Sequence, residues 1–252
     1  MENVISKYFY KNQKELNYGP KWNMSLKACG SMRFRWNETN PNRIEFLNKI
    51  SGDKQIAQIE LIHSKDVFAV NSSDELNQVK GDGIITKNKK LIPTVTVADC
   101  VPIFIWDEKN DVFGMLHSGW KGTGIVKNAI EKACEVYGSK AEDFLVVIGP
   151  HIQSCCYEID KNRAEYFIEN FGENSVSKIS EDLYSLSLTQ ANINCLEKAG
   201  VKKENIFASD ECTCCNEKFG SFRRETSVLD KNIPNDVRMK SFTVQAAWID
   251  FE

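Results

Sequence analysis

The chain runs to 252 residues, 42% of them hydrophobic and 27% charged, with a net charge of −3. That length can bury a substantial core without disulfide staples, and the mild acidity argues against partners such as nucleic acid or an anionic membrane surface. No apolar run approaches the roughly 20 residues needed to span a bilayer. The opening stretch, MENVISKYFYKNQKEL, lacks the uncharged centre of a signal peptide. Nine cysteines is an odd count, which suits free thiols in a reducing cytoplasm better than a disulfide framework.

The first forty residues are polar and aromatic, with turn signals at Gly19-Pro20 and Gly30-Ser31. The segment NPNRIEFLNKISG predicts a short helix. Asn40 caps it, Pro41 suits the first helical position, and Ile44, Leu47 and Ile50 share one face. KQIAQIELIHSKDVFAV predicts two strands, with His63 at or just past the end of the first. After the charged turn VKGDG comes LIPTVTVADCVPIFIWD, rich in β-branched residues and interrupted by Pro93 and Pro102. It reads as two strands with Cys100 in the irregular piece between them. DVFGMLHS is a further strand. It leads through GWKGTG into the amphipathic helix IVKNAIEKACEVYG, where Ile125, Ala129 and Ala133 form one row and Val126, Ile130 and Cys134 the next. The strand DFLVVIGP follows, so residues 112–150 read as a β-α-β unit. Two more helices are expected. One covers KNRAEYFIENFG, between Asp160 and Gly172; the other covers SLTQANINCLEKAG, with Ser187 and Gln190 at capping-box spacing and Gly200 past its end. Without repeats or linkers, the economical reading is a single α/β domain over residues 1–252.

Three histidines are few enough to weigh one by one. His63 follows a strand, His117 ends one, and His151 lies in the turn IGPHIQ; any of them could be an ordinary buried side chain. Strand ends opening onto loops are, however, where a scaffold displays functional groups, and Cys100 joins them from the break between two strands. His, Cys and His are zinc ligands, and three protein ligands leave a fourth position open. Two rival readings use the same atoms. Cys100 and His117 could be a nucleophile and its base, with Asp99 nearby. Alternatively Met115, on the same strand face as His117, could complete a blue-copper set. A multicopper oxidase needs many more imidazoles than three, so that chemistry is not expected and copper is set aside. CTCC at residues 212–215 could be half of a second zinc site, completed by Cys155-Cys156. Lacking any knuckle spacing between the two pairs, they read more simply as core or surface thiols. The glycines of GWKGTG, with Lys121, could hold an anion at a helix N-terminus, though a tight turn explains them as well. Arg43, Arg223 and Arg224 are candidate phosphate or carboxylate partners and otherwise solvated surface charges.

Taken together, TVADCVPIFIWD, FGMLHSGWKGT, VVIGPHIQSCCYEID and CTCCNEKFGSFRR have an order and spacing that resembles the YfiH/LACC1 family. Its members are also called laccase-domain, or polyphenol oxidase-like, purine nucleoside phosphorylases. The similarity runs from about Asn23 to about Arg224. The resemblance implies a four-layer α/β/β/α sandwich with mixed β-sheets and an open zinc site formed by His63, Cys100 and His117, which would be the catalytic residues. It implies phosphorolysis of adenosine, inosine and S-methyl-5'-thioadenosine, accompanied by adenosine deaminase activity. The partners would be a purine nucleoside and phosphate. Apart from the resemblance, a cytoplasmic location is expected from the cysteine count, and the protein is expected to be a monomer. Arg43 falls where the family has an Asn-Arg pair and is the phosphate-binding candidate. Relatives carry a small residue at the place of His151, which puts that side chain outside the metal's ligands. The chain departs from the family in having Leu61-Ile62-His63 for Gln-Val-His, Ser118 in the His-Ala-Gly-Trp motif, and no recognisable Thr-Gly-Arg after Arg224. Two alternatives stand beside the phosphorylase: a hydrolase editing peptidoglycan precursors through zinc or Cys100, and a zinc-binding regulatory protein without turnover.

Overall fold

The β-branched runs on either side of Cys100 form the strands Leu91–Val97 and Val101–Asp107, and these belong to different sheets. Ala98, Asp99 and Cys100 are thus the step by which the chain passes from one sheet to the other. The structure is a computed structural model describing residues 3–230 and 232–251. One sheet has five strands in the order Val4–Tyr8, Lys21–Ser25, Gln245–Asp250, Leu91–Val97, Gln55–Gln58, antiparallel except for the last pair. The other has six, in the order Ile206–Ala208, Phe144–Ile148, Val101–Asp107, Val112–Ser118, Gly83–Thr86, Val67–Ala69. Its outermost pairs are parallel and its inner pairs antiparallel.

Alternation along each strand gives both sheets two apolar faces, so each must be covered twice. Phe9, Trp22, Met24, Phe104, Phe113, Met115, Val147 and Ile249 fill the space between the sheets. On the far side of the six-stranded sheet, Ile103, Ile105, Leu116 and Ile148 meet the helices Ile125–Tyr137, Lys161–Phe171 and Leu188–Lys198. On the far side of the five-stranded sheet, the helix Pro41–Ser51 sets Phe46 and Leu47 on Ile92, Ala246 and Trp248. The result is the α/β/β/α sandwich expected from the resemblance, with mixed sheets throughout. A small three-stranded sheet, in the order Glu158–Asp160, Leu183–Leu186, Val176–Lys178, is added at one side.

The predicted caps form as expected. Asn40 accepts the amide of Arg43, Asp160 that of Arg163 and Ser187 that of Gln190. In the first helix Leu47 and Ile50 face the core as expected, but Ile44 does not. Arg43, Phe46 and Leu47 are buried, while Ile44 is 51% exposed. Packing Phe46 edge-on against Trp248 covers more apolar area than Ile44 can, and the two positions cannot both face the sheet. The β-α-β unit also differs in detail. Val112–Ser118 and Phe144–Ile148 run parallel, but Val101–Asp107 lies between them and is antiparallel to both. The C-terminal strand Gln245–Asp250 inserts between two strands laid down early in the chain, which no local pattern announced.

Candidate metal centre

Antiparallel register brings the functional side chains to one end of the six-stranded sheet. Leu116 pairs with Gly83 and Ser118 with Val101, so the next positions along the ladder set His117 opposite Asp82 and Gly119 opposite Cys100. The amide of His117 donates to the carbonyl of Asp82 at 2.8 Å. His63 arrives from the loop after Gln55–Gln58 with φ of 61°, in the left-handed region, and Asp99 beside Cys100 has φ of 75°. Non-glycine residues held there store strain, and such residues cluster at functional sites.

Buried Asp82, in the turn GDG, organises both histidines. Its carboxylate accepts the amides of His63 at 3.0 Å and Ser64 at 2.6 Å, and the Ser64 hydroxyl at 2.8 Å. Nδ1 of His117 lies 2.8 Å from Oδ1 of the same group. That bond directs the other ring nitrogen of His117 away from Asp82 and toward Cys100 and His63. One ligand atom from each of His63, Cys100 and His117 lies within 4.8 Å of the others. The two imidazole rings meet edge to face, their centroids 4.9 Å apart. A Cβ at Gly119 would stand 3.0 Å from both Cys100 Sγ and His63 Cδ2, so glycine there keeps the cradle open.

Charge follows geometry. Burial pushes the Cys100 thiol up, but His117 and then His63 outweigh it and bring the group down to about 6. Burial likewise opposes charge on His117, yet the Cys100 thiolate and the Asp82 carboxylate raise it to about 10. The site therefore favours a deprotonated sulfur, the form that binds metals and attacks electrophiles.

These groups form part of the wall of a cavity of about 410 Å³. Phe34, Trp120, Tyr157, Phe222 and Phe242 supply aromatic surface, and Arg33, Arg35, Arg163 and Arg223 supply guanidiniums. The guanidinium of Arg163 lies 4.4 Å from the Trp120 ring and that of Arg223 lies 5.6 Å from the Tyr157 ring. Arg33 and Arg35 are partly spoken for, by Glu38 at 2.9 Å and by the carbonyl of Leu61 at 2.8 Å. Leu61 itself adds apolar surface to the wall.

Several residues singled out in the sequence lie elsewhere. Arg43 is buried outside the cavity lining, with its guanidinium on Gln58 Oε1 at 2.5 Å and over the ring of Phe34 at 4.8 Å. It supports the cavity wall from behind. Asp99, noted in the sequence as lying near Cys100 and His117, accepts Thr213 Oγ1 at 2.7 Å, Ser221 Oγ at 3.0 Å and the Arg223 amide at 2.6 Å. Arg224 donates to the carbonyls of Thr213, Cys214 and Phe219 and is a brace, not a surface charge. His151 is fully buried, with Nδ1 on the Gly149 carbonyl at 2.7 Å and Nε2 beside the Thr189 hydroxyl at 2.9 Å. Met115 shares a strand face with His117, as its spacing predicts, but is packed between the sheets rather than in the cavity wall. GWKGTG is a tight turn: the Thr123 hydroxyl donates to the Gly119 carbonyl at 3.0 Å, and Gly124 has φ of 96°.

Sequence reasoning missed Asp82, Arg163 and the cavity aromatics. Asp82 had one signal: a lone acid between two glycines, directly before a β-branched strand.

The fold is a doubly covered pair of mixed sheets, with two histidines and a cysteine gathered at one end of the six-stranded sheet. The family model described as multi-copper polyphenol oxidoreductase laccase matches residues 35–230, and the chain belongs to that family. It is 34% identical over 176 residues to a purine nucleoside phosphorylase of Clostridium acetobutylicum, spanning 68% of this chain and 72% of that one. It is 31% identical over 198 residues to the purine nucleoside phosphorylase YlmD of Geobacillus stearothermophilus, spanning 73% and 72%. In fold it resembles the crystal structure of that YlmD, with a TM-score of 0.78 at 23% identity over 93% of this chain and 92% of the other. The hypothetical protein YfiH of Bacillus licheniformis gives the same TM-score and identity over 92% and 93%. No helix among the described residues is long and apolar enough to cross a membrane.

Proposed function

We propose that this chain is a zinc-dependent purine nucleoside phosphorylase that splits adenosine, inosine and S-methyl-5'-thioadenosine, and that deaminates adenosine at the same site. The observation that carries this reading is the convergence of His63, Cys100 and His117 on a cavity that also presents aromatic faces and arginines. Its volume suits a small molecule. The donor set fits zinc, since two imidazoles and a thiolate leave one open position. The carboxylate behind His117 is the kind of outer partner that orients a ligating imidazole. When bound, zinc supplies a Lewis acid and lowers the pKa of water toward neutrality.

The chain's own residues account for the rest of the reading. Trp120, Tyr157 and Phe222 offer faces on which a purine can stack, and Arg163 and Arg223 hold phosphate beside it through charge-assisted hydrogen bonds. In phosphorolysis a phosphate oxygen bonds to C1' of the ribose as the C1'–N9 bond breaks, and the purine leaves with a proton. Fixing phosphate against the sugar converts that encounter into a reaction between neighbours. Oxidase chemistry is disfavoured by counting: of three histidines in the chain, His151 is committed to Gly149 and Thr189. The test is incubation with adenosine, with and without phosphate. Ribose 1-phosphate formed when phosphate is present is the expected product, with inosine in its absence; no turnover of any nucleoside overturns the reading.

A second reading has one observation in its favour. Cys100, His117 and Asp82 form a line of thiol, imidazole and carboxylate, the arrangement of a cysteine nucleophile with its base and orienting acid. Such a site could cleave an amino-acyl amide in a peptidoglycan precursor. Alkylation at Cys100, with and without a chelator, separates the two.

A further inference from the structure

The two cysteine pairs set apart in the sequence come together in the fold. One sulfur from each of Cys155, Cys156, Cys212 and Cys215 lies within 4.8 Å of the other three. Cys155 Sγ is 3.9 Å from Cys156 Sγ and 3.6 Å from Cys215 Sγ, and Cys156 Sγ is 3.3 Å from Cys215 Sγ. A zinc–sulfur bond is about 2.3 Å, so the edge of a tetrahedron of four sulfurs around one zinc is about 3.8 Å. The observed separations bracket that edge. They are far from the roughly 2.05 Å of a disulfide, and all nine cysteines are free thiols.

A further feature points to a metal. Cys212 is buried, and its sulfur faces backbone amides: that of Gln153 at 3.4 Å, and those of Cys214 and Cys215. Amides from the third and fourth residues of a Cys-x-x-Cys turn converge on that one sulfur. Four sulfurs this close cannot all ionise without a cation, and the space among them admits one ion rather than a cluster of several. Soft thiolates arranged tetrahedrally select zinc.

We infer that Cys155, Cys156, Cys212 and Cys215 form a second, closed zinc centre that clamps the 151–157 loop to the 209–216 segment. The consequence reaches the first site. Tyr157, next to Cys156, lines the cavity. Thr213, inside the Cys-x-x-Cys turn, holds Asp99 beside Cys100. The existing parallel bridge between His151 and Cys212 lies at the base of the same clamp. With no open position the centre supplies no chemistry of its own; it fixes the wall against which the substrate would rest.

The test is native mass spectrometry of the zinc-reconstituted full chain, beside its Cys100→Ser and Cys155→Ser/Cys215→Ser variants. Cys100→Ser disables the first site and should retain one zinc, whereas the double variant should lose one zinc relative to the parent. The two sites are thereby scored independently, whatever becomes of the phosphorylase reading. Because the double variant could misfold, the unmodified chain provides a second measurement. Cys155 and Cys215 are exposed, yet peptide mapping after iodoacetamide should find them at least tenfold less labelled with zinc than after chelation. Equal labelling in both states, a disulfide among the four, iron in place of zinc, or no zinc in a folded Cys100→Ser chain would each overturn the assignment.

Discussion

Oδ1 of Asp82 lies 2.8 Å from Nδ1 of His117, and the same carboxylate accepts the backbone amide of His63 at 3.0 Å. One buried acid therefore sets the ring orientation of one histidine and the left-handed backbone of another. Burial would push that acid up, but His117 and the Ser64 donors outweigh it and hold it below the usual carboxylate range. Asp82→Asn keeps the shape while placing an NH₂ donor among donors. Outer-shell changes of this kind cost about 10–100-fold in metal affinity. A zinc competition titration should show that loss in a folded protein; unchanged affinity would remove Asp82 from its positioning role.

Why Asp82 escaped a reading of the sequence is instructive. VKGDG looks like a solvated turn, and only the antiparallel register of Gly83–Thr86 against Val112–Ser118 carries the acid under His117. Cys100 and His117 were legible because a thiol and an imidazole interrupt or end apolar runs, where packing alone gives no reason for them. The caps at Asn40, Asp160 and Ser187 were legible because capping is local. The pairing of CTCC with Cys155-Cys156 was legible as a candidate but was set below plain thiols, since Cys155 and Cys215 are 60 residues apart and the two loops meet only in the fold. Arg43 and Arg223 exchanged places for the same reason. Burial is a tertiary property, and nothing in NPNR or FRRE states which arginine faces a cavity.

That exchange is testable. Arg223→Gln removes a guanidinium from the cavity wall, and one charge-assisted hydrogen bond contributes about 1.5–3 kcal/mol. The KM for phosphate should rise roughly ten- to a hundred-fold, with a smaller change for the nucleoside. Arg43→Gln should instead lower the denaturation midpoint, because Gln58 and the Met32 carbonyl lose a buried partner. A phosphate-specific KM effect in Arg43→Gln, with stability intact, would return the anion role to that residue.

His151 predicts a pH dependence. Burial lowers its imidazole to about 4, only partly offset by the Gly149 carbonyl, against an ordinary value near 6.5. Between those values the unfolded chain binds a proton that the folded chain refuses. Stability from this group is therefore complete above about pH 6.5 and falls as pH drops toward 4. The loss is about 3 kcal/mol at the low end, at about 1.4 kcal/mol per unit. Urea unfolding at pH 7 and pH 4.5 should show the drop. His151→Asn should flatten it while leaving metal at His63, Cys100 and His117. Loss of that metal in His151→Asn would mean that His151 supports the centre directly.

The role of Cys100 decides between the metal reading and the hydrolase reading. Beside His117 and His63 its sulfur is held ionised well below the ordinary thiol range, so a bare site should be alkylated quickly near neutral pH. A metal-held thiolate is shielded. Iodoacetamide labelling read at Cys100 by peptide mapping should thus be slow in zinc-loaded protein and fast after chelation, with activity lost on chelation and restored by zinc. Cys100→Ser should weaken zinc binding, since a neutral hydroxyl is a poor substitute for a thiolate, and should abolish turnover together with the metal. A cysteine hydrolase behaves in the opposite way. It would be alkylated at the same rate with or without chelator, would lose activity in step with labelling, and would need no metal. Full activity in metal-free protein with Cys100 still reactive would overturn the zinc mechanism and leave the line from Asp82 through His117 to Cys100 as the catalytic device.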